Sequence, residues 1–140
     1  MFKISPVQDE RTKKSMCAAC GIQPRNGAFL YGMIDQGSGE LLGVSQFEIL
    51  RGYGYIYELA EAPNKSDFEA MFILARATMN FIDLCGAHFC RAARSAAPER
   101  LLKAVGFRED TADEYAVDMT GMFDGKCSGK PTNLCADARD

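Results

Sequence analysis

The sequence predicts an α/β (α+β) domain with a mixed, mostly antiparallel central sheet and helices on both faces. Three observations predict it. Strand-like and helical runs follow one another in the order β-α-β-β-β-α-β-α-β. A helix beginning near Ser66 is apolar over so much of its girth that it belongs between layers. Finally, a strand over residues 55–61 feeds through a short turn into that helix. At such a junction α/β proteins point helix amides at a ligand.

Each element has a local cause. Phe2–Ser5 reads as a short strand. Asp9–Cys20 reads as a helix with Thr12, Met16, Ala19 and Cys20 on one side and Gly21 as its stop. Ala28–Asp35 is a strand of strong β-formers, Gln36–Gly39 a turn, and Leu41–Leu50 the returning strand of a hairpin. Gly52-Tyr53-Gly54 reads as a second turn before the strand Tyr55–Glu61. Ser66-Asp67-Phe68-Glu69 has the form of a capping box. The long helix then presents Phe68, Met71, Phe72, Ala75, Met79 and Ile82 on one face, and Leu74, Thr78, Phe81 and Cys85 on another. Gly86 ends it. Ala87–Ala92 reads as a strand. Pro98 opens a short helix with Leu101, Leu102 and Val105 inward, closed by Gly106, with Phe107 folding back as the apolar partner of the cap. Tyr115–Met119 is the last strand. Residues 1–123 thus form one domain. Residues 124–140 turn to Gly, Lys, Ser, Pro and Asp and read as a loose, cysteine-containing tail.

Composition narrows the function classes. A net charge of -3 argues against a nucleic-acid surface, which usually needs a basic excess. No apolar run approaches the ~20 residues of a membrane span. The opening MFKISPVQDE lacks the basic-then-apolar pattern of an export signal, so the expected compartment is the cytoplasm. The cysteines fall as Cys17-x-x-Cys20, Cys85 and Cys90, and Cys127 and Cys135. One CxxC without a second is a weak zinc signal, and buried thiols are the simpler reading, so no metal is expected. His88, the single histidine, reads as structural or surface. Tyr53, Tyr55 and Tyr57 share one side of a strand. That side is a half-buried sheet face, a substrate-facing wall or, if exposed, a surface suited to a homodimer. Arg91, Arg94 and Arg100 cluster after the long helix and suit either an anionic ligand or solvent.

Four phrases carry a resemblance: the opening "FKISPVQDE", the hairpin "LLGVSQFEI", the strand "GYIYELAEAP", and "ERLLKAVGF" before "YAVDM". With the element order, they resemble the GNAT superfamily of acetyl-coenzyme A-dependent N-acetyltransferases over residues 2–120. The resemblance implies acetyl-CoA as co-substrate and direct transfer to a small-molecule or peptide amine. It implies that the central strand splays from its neighbour, so that Leu59, Ala60 and Glu61 offer their backbone to the pantetheine arm. Lys65 and Ser66 would meet the pyrophosphate, and Glu58 or Glu61 would be the general base. These two stand three apart on a strand and so face opposite sides.

Two departures accompany the resemblance. The family's pyrophosphate loop carries Gln/Arg-x-x-Gly-x-Gly/Ala, whereas Asn64–Glu69 here has no glycine. Asp67 and Glu69 also crowd the positive end of the helix, which lowers the expected cofactor affinity by about 10–100-fold. The family's proton-donating tyrosine is replaced by Leu102, with Tyr115 or Tyr57 as substitutes. Two alternatives stand beside the enzyme. One is a non-catalytic relative whose cleft binds another ligand or a protein partner. The other is a zinc or thiol-switch module.

Overall fold

Asp35 organises the first hairpin. Its carboxylate accepts the Gly37 amide at 3.1 Å and the Ser38 hydroxyl at 3.2 Å, and its carbonyl accepts the Gly39 amide at 2.7 Å. This Asx-type turn joins β2 (Phe29–Asp35) to β3 (Leu41–Leu50). The next turn is tighter than expected. Arg51 and Gly52, the glycine at φ 89°, suffice to reverse the chain, so β4 spans Tyr53–Glu61 and begins two residues before the predicted Tyr55.

The computed structural model describes residues 1–124. Seven strands form one sheet in the order β1-β2-β3-β4-β5-β7-β6, where β1 is Phe2–Pro6, β5 Phe89–Ala93, β6 Arg108–Glu109 and β7 Glu114–Asp118. Every pairing is antiparallel except β4 with β5. The predicted mixed, mostly antiparallel sheet is therefore the one observed. The two-residue β6 and a 3₁₀ turn over Arg94–Ala96 are additions to the predicted order. The predicted tail lies outside the described residues, apart from Asp124.

Helices cover both faces. On one, α1 (Glu10–Ala19) buries Cys17 against Leu30 and Val44. Its N-cap is Asp9, which accepts the Thr12 amide at 2.8 Å. On the other, α2 (Phe68–Leu84) and α3 (Glu99–Ala104) enclose the main core of Phe47, Ile56, Leu74, Met79, Ile82, Leu102 and Phe107. The predicted capping box is corrected here. Asp67, not Ser66, is the N-cap of α2, since its carboxylate accepts the Ala70 amide at 3.0 Å. Ser66 stays outside the helix and Glu69 is exposed. The turn before it, which lacks glycine, uses Asn64 at φ 64° for its left-handed position. Phe107 folds back as expected, its amide donating to the Leu102 carbonyl at 3.0 Å.

The fit of α2 on the sheet depends on small residues beneath it. A Cβ on Gly54 would lie 2.5 Å from Ile82 Cγ2, and one on Gly43 would lie 2.9 Å from Met71 Sδ. One polar pair is buried in the same layer. Thr78 Oγ1 donates to the Leu74 carbonyl at 2.9 Å and lies 2.8 Å from Ser45 Oγ, so neither hydroxyl is orphaned.

The cysteines are distributed between the two cores. Cys17 is buried beneath α1, Cys90 is buried in β5 on the main-core side, and Cys20 is half-buried; all three are free thiols. Burial pushes the Cys20 thiol up to about 11 and raises those of Cys17 and Cys90. Cys127 and Cys135 lie outside the described residues. Among the described residues no group of three His, Cys, Asp or Glu is gathered as a metal site, and no helix is long and apolar enough to cross a membrane.

Two outcomes follow. Gly54→Ala forces Ile82 from its place and should cost about 1–3 kcal/mol in denaturant unfolding. Combination with Ile82→Ala should cost less than the sum of the two single changes. Strict additivity would contradict the contact. Raised thiol pKa values leave little thiolate at pH 8. Alkylation of Cys17, Cys20 and Cys90 in the folded protein should run at least about tenfold slower than after unfolding, as read by peptide mass spectrometry. Rapid labelling of folded Cys17 or Cys20 would revive the thiol-switch alternative.

Candidate active site

The site begins where two strands part. Only Gly54, Tyr55 and Ile56 of β4 pair with β5, opposite Cys90, Arg91 and Ala92. The strand continues to Glu61 with β3 as its only strand partner among the described residues. The register against β3 slips between Gln46↔Glu58 and Phe47↔Ile56, which leaves Tyr57 as an extra residue. Such a bulge bends its strand and strengthens the local twist, and this one sits at the point of divergence. Beyond it, β5 has ended at Ala93, and the 3₁₀ turn that follows packs near β4 without extending the strand pairing.

The bulge also sets which side chain faces where. Leu59 is buried in the main core beneath α2 and α3. Ala60 packs with the smaller core beneath α1. Glu61 shares the side of Leu59, and Glu58 shares that of Ala60. The two candidate carboxylates thus face opposite sides, as alternation requires.

On the α2–α3 side lies a cavity of about 230 Å³. Leu59 and Glu61 form one wall, Ser66, Asp67 and Phe68 the second, and Pro98 and Arg100 the third, over Met71 and Leu101. Leu59, Met71 and Leu101 belong to its apolar lining, and Glu61 and Asp67 are its carboxylates. Glu61 Oε2 accepts the Asp67 amide at 2.8 Å, and Asp67 Oδ1 accepts the Ala70 amide. The Arg100 guanidinium lies 4.1 Å over the Phe68 ring and meets no carboxylate among the described residues. Lys65, by contrast, is paired with Glu40 at 2.6 Å and is not among the lining residues. Leu59, Glu61 and Ser66 are therefore brought together, whereas Lys65 is held by the turn before β3.

On the α1 side, Glu58 sits in a network. Arg25 Nη2 donates to it at 3.0 Å and Gln46 Nε2 at 2.8 Å. Gln46, itself buried, accepts the Arg25 amide at 2.8 Å and donates to the Gln23 carbonyl at 3.0 Å. The Arg25 guanidinium also covers the Tyr57 ring at 4.2 Å, and its bond to Glu58 raises its own pKa further. Sequence reasoning missed Arg25 and Gln46. A glutamine amid the apolar run of β3 was the available signal, since a buried amide needs partners.

The tyrosines make a half-buried wall beside this network. The Tyr55 and Tyr57 rings lie 4.9 Å apart, with hydroxyls donating to Glu114 and Glu48. Burial, reinforced by Glu114, pushes Tyr55 up to about 12, and burial with Glu48 raises Tyr57. Leu102 is fully buried. Tyr115 is buried with Arg94 stacked on its ring. The arginine cluster divides. Arg91 pairs with Asp110 and Glu114, Arg94 donates to the Thr111 carbonyl, and only Arg100 faces the cavity. His88 is exposed and bonded to Asp83 at 2.5 Å.

No family model and no curated protein sequence matches the chain. Solved structures do. The ribosomal-protein-S18-alanine N-acetyltransferase from Escherichia coli is similar with a TM-score of 0.67 at 11% identity, over 85% of this chain and 94% of that one. The IAA acetyltransferase from Bacillus cereus is similar at 0.66 and 15%, over 84% and 99%. The PaiA N-acetyltransferase from Thermoplasma acidophilum, solved in complex with coenzyme A, is similar at 0.53 and 16%, over 64% and 59%. Across identities this low the backbone alone is shared, and that backbone is the GNAT acetyltransferase fold.

Proposed function

We propose that the chain is an N-acyltransferase that takes its acyl group from a thioester, with acetyl-CoA as donor and a small-molecule or peptide amine as acceptor. The observation that carries this reading is the parting of β4 from β5 after Ile56 and Ala92, with an open cavity beside the freed edge.

A bound acyl thioester supplies a carbonyl that an amine can attack and a sulfur that can leave. The chain's own groups do the rest. The freed backbone of Leu59, Ala60 and Glu61 is a strand edge, able to pair with the amides of a pantetheine arm. Met71 and Leu101 exclude water beneath it. At the far end Ser66 and Arg100 are available, and Lys65 joins them only by releasing Glu40. On the opposite side Glu58, aimed by Arg25 and Gln46, accepts the proton of the attacking amine through water. Glu61 is spent on the Asp67 amide and shapes the mouth of the cavity. Leu102 supplies no acid, so protonation of the departing sulfur is left to solvent. A second reading draws on the same bond between Glu61 and Asp67. With that helix amide already satisfied, the fold would serve as a non-catalytic binding module.

Acetyl-CoA at ten times its dissociation constant should raise the melting temperature by about 3–6 °C. No shift at millimolar ligand would leave the non-catalytic reading. Glu58→Gln should lower kcat for thiol release, measured with a panel of amines, by about 100-fold while the thioester KM holds. An undiminished rate would remove Glu58 from the base role, and a loss on Glu61→Gln instead would transfer it.

A further inference from the structure

The apolar and the polar lining of the cavity suit different chemistry. A pantetheine arm is neutral and carries two amides and a run of methylenes. The freed β4 edge and the floor of Leu59, Met71 and Leu101 match it. The nucleotide end of coenzyme A carries a diphosphate and a ribose phosphate, and the mouth does not match that. The Asp67 amide is taken by Glu61 at 2.8 Å and the Ala70 amide by Asp67 at 3.0 Å, so two donors an anion would use are satisfied internally. Both satisfying groups are carboxylates that line the cavity. Asn64 holds the left-handed turn position with a side chain where glycine would let a backbone approach phosphate. Lys65 is neutralised by Glu40. One guanidinium, Arg100, stands against two carboxylates.

We infer that the cleft recognises the acyl-pantetheine arm and gains no affinity from the diphosphate, so that pantetheine thioesters without a nucleotide serve as donors alongside acetyl-CoA. This rests on the acyl-thioester reading above and extends its donor class.

The test is calorimetry on the full chain with pantetheine and coenzyme A, at low and high salt. Pantetheine should bind within about threefold of coenzyme A, or tighter. Coenzyme A should bind more tightly as salt rises, because screening weakens a repulsion. Glu61→Gln keeps an oxygen for the Asp67 amide and removes one charge. It should shift the affinity ratio toward coenzyme A by about tenfold. Asp67→Ser, which retains a capping oxygen, should shift it the same way and guards against misfolding of the first variant. The ratio in the unaltered chain decides. Coenzyme A tighter by more than about threefold would overturn the inference and leave the acyl-thioester reading standing. Binding of neither compound at millimolar concentration would overturn both.

Discussion

The structure turns on a single unequal pairing. β4 is flanked by β3 along its whole length but by β5 for only three residues. A central strand with an edge that no described strand pairs leaves backbone donors and acceptors of the kind folded proteins otherwise satisfy. The arrangement is tolerable here because the freed segment borders a cavity, and because its other edge and its Leu59 side chain remain fixed. Helix α2 crosses beneath the paired half, close enough that Gly54 leaves no room for a side chain. The closed half is thus held by packing, while the open half has no second strand partner among the described residues.

The junction after β4 resolves a conflict between stability and anion binding. A helix N-terminus has more amides than partners, and either the chain's own carboxylates or a ligand can meet them. Here Asp67 and Glu61 each take one. That satisfies two amides without a ligand and sets fixed negative charge at the start of the helix. Arg100 offsets part of it from across the cavity. The opposition of one guanidinium to two carboxylates gives the mouth its sign.

Most of the fold was legible because it rests on local rules. The hairpin needed only β-formers around Asp35 and two glycines. The helix α2 needed only its apolar girth and Gly86. The errors came where competing local solutions exist. Asp67 and Ser66 are both competent caps, and only the path of the chain from Asn64 selects Asp67. Arg51-Gly52 and Gly52-Tyr53-Gly54 are both competent turns, and strand pairing favours the shorter. The Glu58 network was invisible for a different reason. Gln23, Arg25 and Gln46 are distant in sequence from Glu58, and no periodicity links a loop to the middle of two strands.

The bulge at Tyr57 shows most clearly what a pattern cannot supply. Gly54 and Ile56 face α2, so strict alternation would place Glu58 and Ala60 on that side as well. The extra residue inverts the phase. Tyr57 and Glu58 both stand toward α1, and Leu59 and Glu61 turn toward α2 and α3. Nothing in YIYELAE announces this. Its consequence is chemical. The cavity and the Glu58–Arg25–Gln46 network lie on opposite sides of one strand, beyond the point where its pairing with β5 ends. A donor bound along the edge and an acceptor meeting Glu58 would approach that point from opposite sides, each with its own wall. One inserted residue thereby separates two binding surfaces that an ideal strand would have exchanged.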